Sequence, residues 1–441
     1  MPLCGEVLVR WQDGNWIVAD SIIGYDPPAA HPRTELEAVD SVVNILNDSV
    51  ALLRPIAPRV ATLLSGGVDS SILATVARDR IFACDTFSSS YSVDDPEHNF
   101  EQKYALSAAA ALSTRHTLFT PNTTDFLVGL IEALANAEMP LHHLQSILLH
   151  LLFKRGIPKE FNTVLIGEGA DSAFGMYKHF KSARLLDLRS SILTFGPVCM
   201  SLEMLGRGWT RARNLAESAA RVRNVRLPVS DPLNPLWDLS AYGDFTWTRA
   251  HYGASREDVT ASRRAHLDGL ESRPFNDVLS LFALNFRDVV STTAIWSKLA
   301  EGQGKIAYFP FVTKELLDTA FSISWDVKLK TQKHVLRAAA RELGVPSFIL
   351  DRPKQAFGIV SNRWAEQGGL LEPLIAVAAK VVDIKQLRSL QGTEPRKAMT
   401  LWSLLNYAVL KRLFVMGESK QALQYEVADH YNGVSKLLAY Q

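Results

Sequence analysis

The sequence predicts an α/β protein: a parallel sheet flanked by helices, preceded by a short β-hairpin and followed by a largely helical C-terminal part. Three observations carry this. Short apolar runs of strand length alternate with helix-like runs between residues 60 and 166, the pattern that builds a parallel sheet covered on both faces. Alternating residues around Asp13-Gly14 in "GEVLVRWQDGNWIVAD" signal a hairpin. After Tyr177 strand-like runs give way to helical ones.

Each element has a local reason. "YDPPAAHPR" reads as a linker whose prolines forbid helix. Thr34 begins an amphipathic helix running to Leu53, with Glu37 three residues on as a capping-box partner. Strands are expected at Val60–Leu64, Ile81–Phe87, His116–Phe119 and Thr163–Ile166. Helices are expected at Ser70–Arg78, Glu101–Leu112, Asp125–Ala135 and Leu144–Lys154. Pro228 to Trp247 reads as an irregular aromatic-rich insert. These elements divide the chain into a hairpin and linker over 1–33, an α/β domain over 34–180, and a mostly helical region over 181–441.

Composition narrows the function. The 441 residues are 47% hydrophobic, with a formal net charge of +1, so neither a nucleic-acid nor a membrane surface is expected. Three scattered cysteines form no CxxC pair, which argues against disulfides and structural zinc. Without a signal pattern or an apolar run of spanning length, a cytoplasmic location is expected.

The chemistry concentrates in three stretches. "SGGVDSS" follows a strand and opens a helix, where free backbone N–H groups and the helix dipole favour a phosphate. Its hydroxyls can donate, whereas Asp69 makes best sense as a ligand for a Mg²⁺ accompanying the phosphate. The loop lacks the Walker and G-x-G-x-x-G patterns. The second stretch is "VLIGEGADSAFGMYKHF", and the third "DRPKQAFGI". His142, His143 and His150 beside an apolar helical run read as core or groove residues, without a metal.

S-G-G-V-D-S resembles the pyrophosphate-binding loop (PP-loop) of the N-type ATP pyrophosphatases. The second stretch is similar to the G-E-G-x-D-E-x-F-G-G-Y signature of asparagine synthetases, and the third to their R-x-K-x-x-F segment. Ser172 stands for the usual Glu, Met176 for Gly, and Tyr308 in "YFPFVTKELLD" for Arg; these departures are expected to bear on the substrate. The resemblance implies an adenine-nucleotide α-hydrolase-like (HUP-type) fold and ATP with Mg²⁺ as cofactors. It implies that Leu64, Ser65, Gly66, Gly67, Asp69, Ser70, Ser89, Ile166 and Gly167 bind the nucleotide. Asp69 and Asp171 would hold Mg²⁺, Lys354 would stabilise the reacting phosphates, and Glu168 would orient or deprotonate the attacking amine.

The implied reaction is amide formation through an acyl-adenylate with release of pyrophosphate. The acid is a small-molecule or peptide carboxylate, and the nitrogen comes from ammonia or an amine. Met1-Pro2-Leu3-Cys4 offers no terminal cysteine nucleophile, and 1–33 leaves no room for the family's N-terminal glutaminase domain, so a separate glutaminase would have to supply ammonia from glutamine. Intramolecular cyclisation, as in β-lactam synthetases and lasso-peptide cyclases, is an alternative, as are a tRNA-modifying ATP pyrophosphatase and a non-catalytic nucleotide-binding subunit. The second wants catalytic cysteines and a basic surface, and the third the loss of Glu168, Asp69 or Lys354; neither condition is met. A homo-oligomer stays open.

Overall fold

A computed structural model of the chain describes residues 8–12, 15–20, 25, 27, 33–81, 83–90, 96–141, 143–175, 244–253, 273–352 and 362–438. Strands β1 (Leu8–Gln12) and β2 (Asn15–Asp20) form the expected hairpin, pairing antiparallel with Gln12 opposite Asn15. They make a two-stranded sheet of their own rather than an edge of the main one. Helix α1 (Glu35–Ala51) starts at Thr34, whose side chain accepts from Glu37 N–H while the Glu37 carboxylate accepts from Thr34 N–H. This is the reciprocal cap read from the sequence.

The main sheet is built from β3 (Arg59–Leu63), β4 (Ala83–Ser89), β5 (Arg115–Phe119), β6 (Thr163–Leu165) and β7 (Ile306–Tyr308), all parallel, in the order β5-β4-β3-β6-β7. Helix α2 (Val68–Arg80) joins β3 to β4, and α3 (Pro96–Ala111) joins β4 to β5. Helices α4 (Thr123–Ala137) and α5 (Gln145–Leu151) precede β6, and the short α6 (Ala170–Phe174) follows it. Val60, Ala61 and Thr62 of β3 and Thr163, Val164 and Leu165 of β6 are all buried. Helices therefore cover both faces of the central strands, which explains their lack of polar alternation.

Two expectations need correction. Strands do not stop at Tyr177, because Ile306–Tyr308 returns to the sheet beside β6. Three residues are too few to show a period against a helical background. The insert expected to run to Trp247 gives way to a helix, α7 (Phe245–Tyr252), capped by Asp244; residues 228–243 lie outside those described.

The remaining helices are α8 (Phe275–Phe282), α9 (Ala294–Glu301), α10 (Lys314–Ser322), α11 (Trp325–Lys328), α12 (His334–Glu342), α13 (Ser347–Leu350), α14 (Glu372–Ala378), α15 (Ile384–Ser389), α16 (Pro395–Leu410) and α17 (Lys420–Leu438). They join the α/β part in one core. Buried Trp402 of α16 donates to Leu141 O at 2.8 Å, and Leu141 N–H donates to Asn406 Oδ1 at 2.9 Å. Fully buried Arg412 pairs with Glu418 at 2.5 Å and Glu426 at 2.7 Å, fastening α17.

The placement of α6 matters most for the site. A five-residue helix has no stability of its own. Its carbonyls are gripped from outside: Ser280 Oγ of α8 donates to Ser172 O at 2.5 Å, and Lys328 Nζ donates to Ala173 O at 3.1 Å. Lys328 is fully buried, its ammonium 4.1 Å from the Trp325 ring centroid. Trp325 in turn donates to Asp277 Oδ1 at 2.7 Å.

Burial pushes the Lys328 amine from its ordinary 10.5 down to about 7, with Asp277 pulling the other way. A lysine whose folded pKa lies below its unfolded value holds fewer protons when folded. Stability therefore rises with pH between those two values, and the full penalty stands below the lower one. Lys328→Met is expected to remove this slope. In urea titrations the wild type should gain stability relative to the variant between about pH 7 and pH 10; a pH-independent difference would count against a buried lysine that deprotonates.

Candidate active site

Strand order places the site. From β3 the chain moves outward to β4 and β5, while β6 and β7 lie on the other side of β3. The loops leaving β3 and β6 thus diverge at their C-terminal ends, the crevice where open parallel sheets bind ligands. Residues 64–67 leave β3 there, and residues 166–169 leave β6.

The first loop is held by its own hydroxyls. Ser65 N–H donates to Ser70 Oγ at 3.2 Å, Ser70 Oγ donates to Gly67 O at 3.2 Å, and Gly67 N–H donates to Ser65 Oγ at 3.3 Å. Gly67 is the N-cap of α2 and no side chain caps that helix, so its first N–H groups face the loop without a side-chain acceptor. This is the local electrostatics of an anion site. Gly66 has φ +72°, and a Cβ there would stand 2.5 Å from the Tyr104 carbonyl carbon and oxygen. Arg352 lies over the Tyr104 ring at 4.2 Å and donates to Ser65 O at 3.0 Å, tying the loop to the segment after α13.

The second loop turns at Gly169, φ +91°, where a Cβ would stand 2.2 Å from Val312 Cγ1. It then enters α6, which carries Asp171. Gly167 backs onto the start of α2, where a Cβ added to it would stand 3.4 Å from Asp69 Cβ.

One side chain ties the loops together. The Lys333 ammonium makes ion pairs with both Asp69 Oδ2 and Asp171 Oδ1, and the lysine side chain is only 5% exposed. Burial pushes its pKa down, but Asp171 and Asp69 more than offset this and hold it above the ordinary lysine range. Its backbone is left-handed (φ 52°, ψ 43°) at the N-cap of α12, a conformation costing a non-glycine residue about 1–2 kcal/mol. The other Asp69 oxygen, Oδ1, is buried without a hydrogen-bond partner among the described residues. Carboxylates from two segments meet here, and Asp69 still has an oxygen unpartnered among the described residues; such hard oxygen ligands suit a Mg²⁺ that takes its remaining ligands from phosphates and water.

The model of the asparagine synthase family matches residues 42–418. The chain belongs to the asparagine synthase family. A Mycobacterium tuberculosis protein named "Putative asparagine synthetase (glutamine-hydrolyzing)" is 26% identical over 408 residues, 85% of this chain and 58% of its own length. Asparagine synthetase (glutamine-hydrolyzing) 1 of Bacillus subtilis is 26% identical over 348 residues, 75% of this chain and 51% of its own. The chain thus spans about half the length of the curated relatives it matches.

The nucleotide residues expected from the family gather in this crevice. Leu64, Ser65, Gly66, Gly67, Asp69 and Ser70 line the first loop, Ile166, Gly167 and Glu168 the second, and Ser89 ends the neighbouring strand β4. Leu64 N–H donates to Phe87 O and Ile166 N–H to Tyr308 O, each at 2.9 Å, which leaves both residues only a carbonyl to offer. Ser71 is fully buried, so its hydroxyl faces the core and is no phosphate donor. Lys354 lies outside the described residues, as do Met176 and Tyr177. Ser172 is fully buried, and the Tyr308 hydroxyl reaches Ser49 O at 3.4 Å. These two departures from the family pattern therefore repack the interior rather than face a substrate. Buried His150 is a core residue, 3.1 Å from Glu132 Oε2.

Sequence reasoning missed Lys333 and Arg352. No local signal marks Lys333, because its carboxylate partners lie more than a hundred residues upstream.

Gly66→Ala is expected to destabilise the fold by about 1–3 kcal/mol through backbone strain alone, and to displace the loop from Tyr104 as well. Gly344→Ala is the matched control, with φ +78° and nothing within 4 Å of the added carbon. Both should lower the melting temperature, and only Gly66→Ala should abolish binding of an ATP analogue. Equal binding by the two variants would show that the close approach to α3 is dispensable.

Proposed function

We propose that this chain is an ATP-dependent, AMP-forming amide ligase that activates a substrate carboxylate as an acyl-adenylate and passes the acyl group to ammonia or an amine. The observation that carries this reading is the meeting of Asp69 and Asp171, from two loops at the sheet's switch point, beside the uncapped N-terminus of α2. Membership of the asparagine synthase family supports it.

In this reading the N–H groups at the start of α2 and the Ser65 and Ser70 hydroxyls take the phosphates that leave as pyrophosphate. The carbonyls of Leu64 and Ile166 are acceptors suited to an adenine amino group, with Ser89 and Gly167 beside them. Asp69 and Asp171 would hold Mg²⁺, which when bound neutralises phosphate charge at the bond that breaks. Lys354 adds positive charge at the α-phosphorus as the carboxylate attacks and pyrophosphate departs. Glu168, at the turn into α6, then orients the attacking amine and accepts its proton, a role worth about 10²–10⁴-fold. The relatives carry "glutamine-hydrolyzing" in their names, which makes ammonia the first nitrogen donor to assay.

Turnover is expected to release AMP and pyrophosphate in equal amounts; ADP and orthophosphate as primary products would rule the reading out. Asp69→Ala and Lys354→Ala should each slow ATP–pyrophosphate exchange by about 10²–10³-fold, the usual cost of one preorganised electrostatic contact. Glu168→Gln should spare exchange and depress amide formation. If both half-reactions fall in parallel, Glu168 belongs to the adenylation step instead.

A further inference from the structure

The peptide groups of the first loop have separate holders. The Leu64–Ser65 peptide is fixed through Ser65 N–H, which donates to Ser70 Oγ, and the Gly66–Gly67 peptide through Gly67 N–H, which donates to Ser65 Oγ. The peptide between them is held at its oxygen, where Arg352 Nη1 donates to Ser65 O at 3.0 Å. Among the described residues no other donor reaches that carbonyl.

This middle peptide needs a holder. A trans peptide is planar, with its C=O and N–H pointing opposite ways, so turning it over exchanges the two. Gly66 stands at φ +72°, and glycine takes positive and negative φ about equally readily, so the backbone alone does not choose between the orientations. By taking the carbonyl, Arg352 selects the one in which Gly66 N–H points away from the guanidinium. That N–H has no acceptor among the described residues. It stands beside the start of α2, whose first N–H groups no side chain caps.

The arginine is itself firmly set. It is buried, with its guanidinium 4.2 Å from the centroid of the Tyr104 ring, and the Tyr104 carbonyl abuts Gly66. A cation hydrogen-bonded to a carbonyl oxygen also polarises the peptide, which makes the N–H on its far side a better donor.

We propose that Arg352 is a positioning residue for pyrophosphate: it holds the Ser65–Gly66 peptide so that Gly66 N–H joins the first N–H groups of α2 as a donor to the departing phosphates. This rests on reading the loop as the phosphate site. In this role the guanidinium acts through one peptide group rather than by touching a phosphate.

The test is isothermal titration calorimetry of the full chain with pyrophosphate and, separately, with AMP, each with excess Mg²⁺, for the wild type, Arg352→Met and Arg352→Lys. Methionine keeps an unbranched apolar stem and offers no donor. Pyrophosphate should bind Arg352→Met about 10–100-fold more weakly, the range of one charge-assisted hydrogen bond, while AMP changes by less than about twofold. Arg352→Lys keeps a charged donor and should recover part of the loss. Should Arg352→Met fail to fold, Arg352→Lys decides alone: an ammonium lacks the planar fork and the stacking, so a smaller loss confined to pyrophosphate is expected, and wild-type affinity would overturn the proposal. A parallel loss of both ligands makes Arg352 a packing residue of the crevice and overturns it. Unchanged pyrophosphate binding by Arg352→Met overturns it too, and leaves the loop as the phosphate site. If the wild type binds no pyrophosphate, even with AMP present, the loop reading and the role of Arg352 fall together.

Discussion

Two carboxylates brought together in a crevice repel each other unless a cation or a shared proton lies between them. At about 4 Å and an effective dielectric near 20, two like charges repel by about 4 kcal/mol, a large part of a domain's net stability of about 5–15 kcal/mol. Asp69 and Asp171 are brought together by chain segments that have other reasons for being where they are, one at the start of α2 and one on α6. Lys333 makes their meeting tolerable. Its strained backbone is the local cost of placing an ammonium where no helix would choose one, and the Glu35 pairs of Lys330 and His334 help to hold it there.

The site is assembled from distant parts because neither loop could hold its geometry alone. The first loop presses Gly66 against α3 and is closed by Arg352, from far along the chain. The second depends on α6, and α6 depends on Ser280 and Lys328 at its carbonyls. A buried lysine that binds a carbonyl and an aromatic face, rather than a carboxylate, gives the helix a donor without adding negative charge beside Asp171. Sheet topology supplies the meeting point, and the later helices supply the grip.

Much of this was legible in the sequence, and the boundary between what was and was not is physical. The α1 capping box, the first four strands of the main sheet and the SGGVDSS loop are local features, decided by residues within a few positions of one another. Strand β7 was not legible, because three residues carry no period and the pairing partner lies more than a hundred residues upstream. Lys333 and Lys328 were not legible as site elements either. Their meaning comes from carboxylates and carbonyls distant in the chain, and a lysine between two helices looks locally like a solvated one. The DRPK stretch was found, yet Arg352 within it was passed over, since its contact is a backbone carbonyl that no side-chain pattern reveals.

The departures at Ser172 and Tyr308 show why position in a motif and position in the chemistry are separate properties. Successive residues of a strand face opposite ways and those of a helix are turned by about 100°, so a signature that spans either contains both site residues and packing residues. Asp171 reaches the lysine bridge, whereas the next residue, Ser172, is sealed in the interior beneath α8. On β7, Tyr308 hands its carbonyl to Ile166 N–H, keeping the second loop in register, while its phenol turns to α1. Backbone roles survive such exchanges because they need no particular side chain. A site built from helix N–H groups, two carbonyls and a pair of aspartates therefore tolerates change in the wedge behind it, provided the new side chains fill the space.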